Sequence, residues 1–403
     1  MIIKVALRNV FRQKRRSLLT ILTMLGGFAL AAVSISWGDG TYAHVIRMFT
    51  RNQLGHIQVH EEGYLDQRSL YKTIEDYQQI GDRIAAIDGV IAWAPRLFAA
   101  GLASVDEKAS AVQVTGVDPQ LENAATRFDQ KVSQGRTLPQ NPEHTVLLGQ
   151  GLARRLEASI GDSLVIVSNA ADGSIANDIY LISGIVESGN SMSDQLTLYM
   201  HLADAQELFW LQARVHELAV IVNHLDDVDP LTAQIQQQLP DDLVAASWKE
   251  FARSFYVAMQ ADKRGSYIAL GVVLLVVAVG VLNTVLMTVL ERRREYGMLR
   301  AIGTTPLQIV RMVIWEVLCM AVIGIAGGIV VAYAVAYYLL VEGIPMPQPF
   351  TWGGVEFTHM YAQLSPHVFW VPALAVVLTA LVVSLFPAMR AANVAPAKVM
   401  RLH

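Results

Sequence analysis

Four long apolar runs, at 18–37, 267–290, 312–340 and 369–389, set the limits on what this chain can fold into. Each reaches the roughly 20 residues that a helix needs to cross the hydrocarbon core of a bilayer. Only 16% of the residues are charged, against roughly 25% in soluble domains, as expected of a membrane protein. Between the first and second runs lies 41–265, which alternates polar and apolar and reads as a soluble domain of its own. The expected fold is four transmembrane α-helices, with a large α+β domain inserted between helices 1 and 2.

The distribution of charge gives the topology. Outside 41–265 there are 14 Lys and Arg, and all fall before the first run, between the second and third, or after the fourth. The connection 341–367 has none. The positive-inside rule then places both termini and the 291–311 loop in the cytoplasm, and the large domain and 341–367 outside. The outer domain carries 29 acidic against 17 basic residues, a net of −12, which argues against a nucleic-acid partner. The single cysteine, Cys319, lies inside the third run, so the outer domain is held by its core and not by disulfides.

The chain divides accordingly. Residues 1–17 read as a cytoplasmic amphipathic helix rather than a cleaved leader, with Ile2, Ile3, Ala6, Leu7, Val10 and Phe11 opposite Lys4, Arg8, Arg12 and Arg15. Such a helix suits the headgroup layer. Residues 18–40 form the first span and the start of a stalk, and 41–265 the outer domain. The second span is 266–290, the loop 291–311, the third span 312–340, the outer connection 341–367, the fourth span 368–389 and the tail 390–403.

Within the outer domain, 56–60 alternates with period two, a strand signature. His56 and His60 are too far apart on a strand, about 13 Å, to share a metal ion, and read as solvent-facing. A helix is expected at 76–87, and strands at 93–97, 101–105 and 111–117, the last closing in a turn at Asp118-Pro119. Further strands are expected at 145–148, 164–168, 180–186, 196–200 and 215–222, with a hairpin at Asp172-Gly173. Helices are expected at 149–157, 202–211 and 231–239, and a return stalk from 257. Residues 52–118 and 214–262 make a plausible core unit, with 120–212 as a β-rich insertion.

The 291–311 loop concentrates charge between two spans. It opens E-R-R-R-E-Y-G-M-L-R-A-I-G, with Glu291, Arg292, Arg294, Glu295 and Arg300 around Gly297 and Gly303. Helix formers flank both glycines, which implies a short helix broken twice, a knob able to dock on a soluble partner. In the third span, Glu316 is costly in a bilayer unless it pairs or reaches the interface, with Arg311 or the loop arginines as partners. Gly324-x-x-x-Gly328 permits close helix packing. Asn283 in the second span would prefer an interhelical hydrogen bond, within the chain or in an oligomer. The tail places Pro387, Arg390 and Pro396 at the inner end of the fourth span, which Pro387 is expected to end.

No catalytic or metal constellation is visible. G-x-x-x-x-G-K-[ST], H-E-x-x-H and G-x-S-x-G are all absent, so the chain has no ATP site of its own. The 291–303 stretch, W-E-V-L-C-M-A-V-I-G-I-A-G-G at 315–328, and F-P-A-M-R-A-A-N-V-A-P-A-K-V-M-R at 386–401 together resemble the FtsX/MacB/LolC–LolE family of ABC transporter permeases. V-T-G-V-D-P at 114–119 is similar to that family's outer domain. The resemblance implies a multi-pass protein of the bacterial inner membrane. It implies a second permease chain, in a homo- or heterodimer, and two copies of a separate ABC ATPase subunit that binds ATP and Mg. The 291–303 knob would couple the ATPase to movement of the periplasmic domain through the stalk helices. Three roles stay open: release of lipoprotein or another amphiphile to a periplasmic carrier, efflux with a periplasmic adaptor, or signalling to a periplasmic hydrolase. The large outer domain favours the first.

Overall fold

The structure, a computed structural model, describes residues 8, 12, 14–50, 54–352 and 355–394. Most of the expected 1–17 helix and Pro396 therefore lie outside the described residues. The chain divides into two compact units, one of Met1–Ala43, Met259–Pro345 and His359–His403, the other of His44–Ala258 and Met346–Thr358.

The first unit is built on four long helices, Lys14–Phe49, Arg253–Glu291, Pro306–Val341 and Pro366–Ala392, each long and apolar enough to cross a membrane. The first two extend well beyond the apolar runs. The buried seam is rich in small and β-branched residues: Ala29 and Ala32 on the first helix, Val277, Val281, Val285 and Val289 on the second, Ala321 and Ala332 on the third, and Ala380 and Ala388 on the fourth, with Met24 and Phe28 of the first helix filling the space between them. Other aliphatics of the second helix, such as Val272, Leu275 and Val279, face outward. Apolar side chains gain little by leaving lipid, so close backbone approach does the packing. Gly324 and Gly328 illustrate it. A Cβ at Gly324 would lie 3.0 Å from the Ile21 carbonyl oxygen, and one at Gly328 would lie 2.6 Å from Phe28 Cδ1.

The fourth helix does not stop at Pro387. It runs on to Ala392 with Pro372 and Pro387 both inside it, because neighbouring helices in a bundle compensate for the lost backbone donor. Arg390 stacks over the Phe386 ring at 4.7 Å. Towards the other end of that helix, His367 Nε2 lies 2.7 Å from Asp39 Oδ2, and Ser36 Oγ donates to the Gln363 carbonyl at 2.8 Å.

The second unit is organised on a ten-stranded sheet. Its strands are β1 (Ile57–Glu61), β2 (Val90–Val105), β3 (Lys108–Val117), β4 (Val132–Gly135), β5 (Thr145–Gly149), β6 (Ser163–Asn169), β7 (Ile175–Val186), β8 (Thr197–His201), β9 (Glu217–Val222) and β10 (Leu243–Ser247). They run in the order β10-β1-β9-β2-β3-β8-β5-β7-β4, with β6 pairing β2 and β7. The β3–β8 and β5–β7 pairs are parallel and the others antiparallel. Strands from 57–117 and 217–247 thus fill one end of the sheet and those from 132–201 the other. A short two-stranded sheet, β11 (Ile344–Trp352) and β12 (Val355–Met360), precedes the fourth long helix.

Several local expectations change. The two strands expected at 93–97 and 101–105 are one, β2, since Ala99-Ala100-Gly101 pairs through to β3 without a break. Asp118-Pro119 is a helix start, not a turn: Asp118 accepts from Gln120 N and Leu121 N, and Pro119 opens the helix Pro119–Thr126. His56 and His60 are buried, not solvent-facing. β1 lies between β10 and β9, and its two faces are both covered. His56 Nδ1 accepts from Val222 N at 3.0 Å. His60 sits 2.9 Å from the His216 carbonyl and stacks on Tyr64.

Helices cover both faces of the sheet around β2. Ile80 and Ile84 of the helix Tyr77–Ala85 are buried on the Trp93 face, where Gly81 lies directly under the indole. The helix Pro119–Thr126 packs Leu121 and Ala125 on the opposite, Ala94 face. Arg96 shares that face and is fully enclosed. It forks onto Glu122 at 2.9 and 2.7 Å and reaches Glu217, its cross-strand neighbour on β9, at 2.9 Å. Burial alone would raise the Glu122 pKa, but Arg96 reverses that and holds it below the usual carboxylate range. At the sheet edge, the Gln236 amide donates to the Leu243 carbonyl and accepts from Ala245 N, so it occupies hydrogen-bonding positions of β10 that another strand would use.

Candidate functional site

The second long helix ends at Glu291, and Arg292 leaves helical geometry (φ −89°, ψ 15°) before a new helix starts at Arg293. That helix, Arg293–Ala301, contains Gly297 in its buried face. The knob is therefore one helix and is not broken at Gly297. Its end is at Gly303, whose φ of +104° suits glycine and turns the chain toward the third long helix. Thr305 and Gln308 close a capping box there, with Pro306 in the first turn.

The helix has two faces. On the inner one Tyr296 is fully buried. Arg292 turns inward with it: its guanidinium lies 5.5 Å from the Tyr296 ring centroid, Nη1 donates to Glu316 Oε1 at 2.9 Å, and Nε donates to Glu295 Oε2 at 2.8 Å. Glu316 is thus paired with Arg292 and buried. Glu291 pairs with Arg16 in the first turn of the first long helix, and Glu295 lies 3.7 Å from Arg12 just before it. Arg300 is partly buried.

The outer face carries Arg294, Met298 at 53% exposure and Ile302 at 84%. The spacing of four puts these three on one side of the helix. Arg294 was expected there. Met298 and Ile302 were missed, because the sequence reading followed charge and glycine. Two apolar residues four apart, opposite Tyr296, are the signal that could have found them.

Gly324 and Gly328 sit on the third helix where the first crosses it, as above. Asn283 is exposed on the second helix, on the side away from the buried valines. Pro387 is buried and Arg390 exposed in the last turns of the fourth helix. The arrangement offers no nucleophile or acid–base pair; it offers a short helix presented outward and tied to the bundle from within.

Two family models cover the chain. The MacB-like periplasmic core domain matches residues 17–238, and the FtsX-like permease C-terminal domain matches 267–396. The lipoprotein-releasing system transmembrane protein LolC of Neisseria meningitidis is 24% identical over 322 residues, covering 76% of this chain and 75% of that protein. LolE of Haemophilus influenzae is 25% identical over 349 residues, covering 82% of each. The periplasmic region of MacB from Actinobacillus actinomycetemcomitans superposes with a TM-score of 0.38 at 15% identity, over 52% of this chain and 95% of that one. With more than half of its length in the periplasmic core model and the remaining helices in the permease model, this chain belongs to the MacB/FtsX-like family of ABC transporter permeases of the bacterial inner membrane.

Proposed function

We propose that this chain is the permease subunit of a transporter driven by a separate ABC ATPase, and that it moves lipoprotein or another amphiphile out of the inner membrane. Two ATPase copies would bind ATP and Mg and dock on the cytoplasmic face of a permease dimer. The observation that carries this reading is the two-faced helix Arg293–Ala301. Its inner face is fixed by Tyr296 and Arg292, and its outer face presents Arg294, Met298 and Ile302. An Arg beside exposed aliphatics is a composition suited to a protein contact. The positive-inside rule puts this helix and both termini in the cytoplasm.

Docking would move the helix, and the first and second long helices would carry that movement outward. The outward-facing Asn283 supports a contact with a second permease chain, where a bilayer offers it no other partner. The likeness to LolC and LolE over about three quarters of the chain or more supports the choice of cargo.

The test is purification of the tagged chain in mild detergent, with mass spectrometry of everything that co-elutes. An ABC ATPase together with a lipoprotein or lipid is the expected result. An ATPase with a periplasmic adaptor or hydrolase and no lipid would replace release with efflux or signalling. Absence of any ATPase would refute the docking reading.

A further inference from the structure

The charged residues of 291–303 divide into Glu291, Arg293 and Arg294, which are exposed, and Arg292, Glu295 and Arg300, which are partly covered, Arg292 the one that reaches the third long helix. The Arg292 side chain is 12% exposed and its partner Glu316 is 9% exposed. Arg292 is also where the backbone leaves the second long helix. One residue is thus both the bend and the tie. A helix joined to its neighbours by a bend at Arg292 and a left-handed Gly303 is free to tip at both ends unless something holds its flank. Beside the buried Tyr296, the Arg292–Glu316 pair supplies a directional hold, and it attaches the short helix to the third long helix, from which it is separated in sequence by Gly303 and the capping box.

The surroundings suit a tie that is made and held. Thr20 of the first helix and Thr284 and Thr288 of the second, with Val285, Val313 and Val317 between them, line a cavity of about 30 Å³ against Arg292 and Glu316. The guanidinium's other edge meets Glu295 and its face meets Tyr296. Charges placed among apolar residues hold one geometry strongly, because separating them leaves each without solvent.

We propose that Arg292 and Glu316 are positioning residues that latch the short helix to the third long helix, so that displacement of the outer face is passed into the bundle and not lost as tipping. This rests on the docking reading above. It assigns Arg292 to transmission and leaves contact with the ATPase to Arg294, Met298 and Ile302. Removing the latch should then separate two quantities that a docking residue would change together: ATPase bound per permease, and the activation of that ATPase by the permease.

The experiment reconstitutes the full chain with its co-purifying ATPase in lipid nanodiscs and measures both quantities for Arg292→Ala, Arg292→Lys, Glu316→Gln and the exchange Arg292→Glu with Glu316→Arg. The expected result for Arg292→Ala and Glu316→Gln is ATPase binding within about twofold of wild type with activation reduced about tenfold, the range of one coupling contact. Arg292→Lys keeps the charge and should retain part of the activation, and the exchange should restore most of it. Full activation in Arg292→Ala would overturn the latch. So would an exchange that melts like wild type yet stays inactive, or binding and activation that fall in parallel in every variant. A wild-type chain that retains no ATPase would overturn the docking reading itself, and the latch with it.

Discussion

Replacing Arg96 with Ala would leave Glu122 and Glu217 facing each other in the covered side of the outer domain's sheet. Both carboxylates are buried, and Arg96 makes three hydrogen bonds to them. Deleting one partner of a buried ion pair costs about 3–5 kcal/mol, mostly through the charge left behind. Lys131, also near Glu122 and mostly protonated at pH 7 with its pKa lowered to about 8, offsets part of that loss at Glu122 only. The assay is hydrogen–deuterium exchange on the full chain, reading amides of β9, which pairs with β2 on one side and β1 on the other. A loss of 3 kcal/mol corresponds to exchange faster by about a hundredfold or more when the amides exchange through domain opening.

The pH dependence of that variant adds a second check. In the wild type, Glu122 has a depressed pKa, so its contribution is present above the ordinary carboxylate range and is lost as pH falls through the folded value. Without Arg96, burial raises the pKa, and the folded state then takes up a proton more readily than the unfolded one. The penalty should therefore be larger at pH 7.5 than at pH 5, after correction for intrinsic exchange rates. A change of less than about fivefold in β9 exchange, or a penalty independent of pH, would refute the reasoning.

Other perturbations follow from the same geometry. His216 is buried and its pKa is lowered to about 4, by burial first, so the unfolded chain binds a proton that the folded one refuses. The outer domain should lose about 3 kcal/mol between pH 6.5 and pH 4 from this group, and His216→Gln should flatten that slope in acid denaturation. Gly328→Val should cost about 1–3 kcal/mol by driving a Cβ into Phe28, and Phe28→Ala should recover part of it in thermal melts of the detergent-solubilised chain. Asp118→Ala should destabilise by about 1 kcal/mol through loss of the helix cap, with Asp118→Asn close to wild type in urea titration.

The four spans were legible because a run of about 20 apolar residues has few other uses. Strand cores such as 164–168 and 215–222 were legible from alternation. The short pieces were not: β4 and β10 are four and five residues long, and β10 is fixed mainly by pairing with β1 and by the Gln236 side chain. The burial of His60 in β1, and of His56 just before it, was hidden for a related reason. Alternation describes a strand with one wet face, whereas β1 is flanked on both sides and covered above and below.

At the short helix, sequence located the charged block and the terminal glycine but could not set the phase. That phase depends on the break at Arg292, which turns Arg292 inward and Met298 and Ile302 outward. The partner of Glu316 was limited to a few arginines and needed three dimensions to choose among them.

The outer face of Arg293–Ala301 and the residue that follows it form the proposed ATPase contact. A photo-crosslinking residue placed singly at Met298, Ile302 or Trp370 in the full chain in native membranes tests this directly. The predicted result is an ATPase adduct from 298 and 302 and none from the exposed Trp370 on the fourth helix. Adducts from Trp370 alone, or no ATPase adduct from either short-helix position, would contradict it.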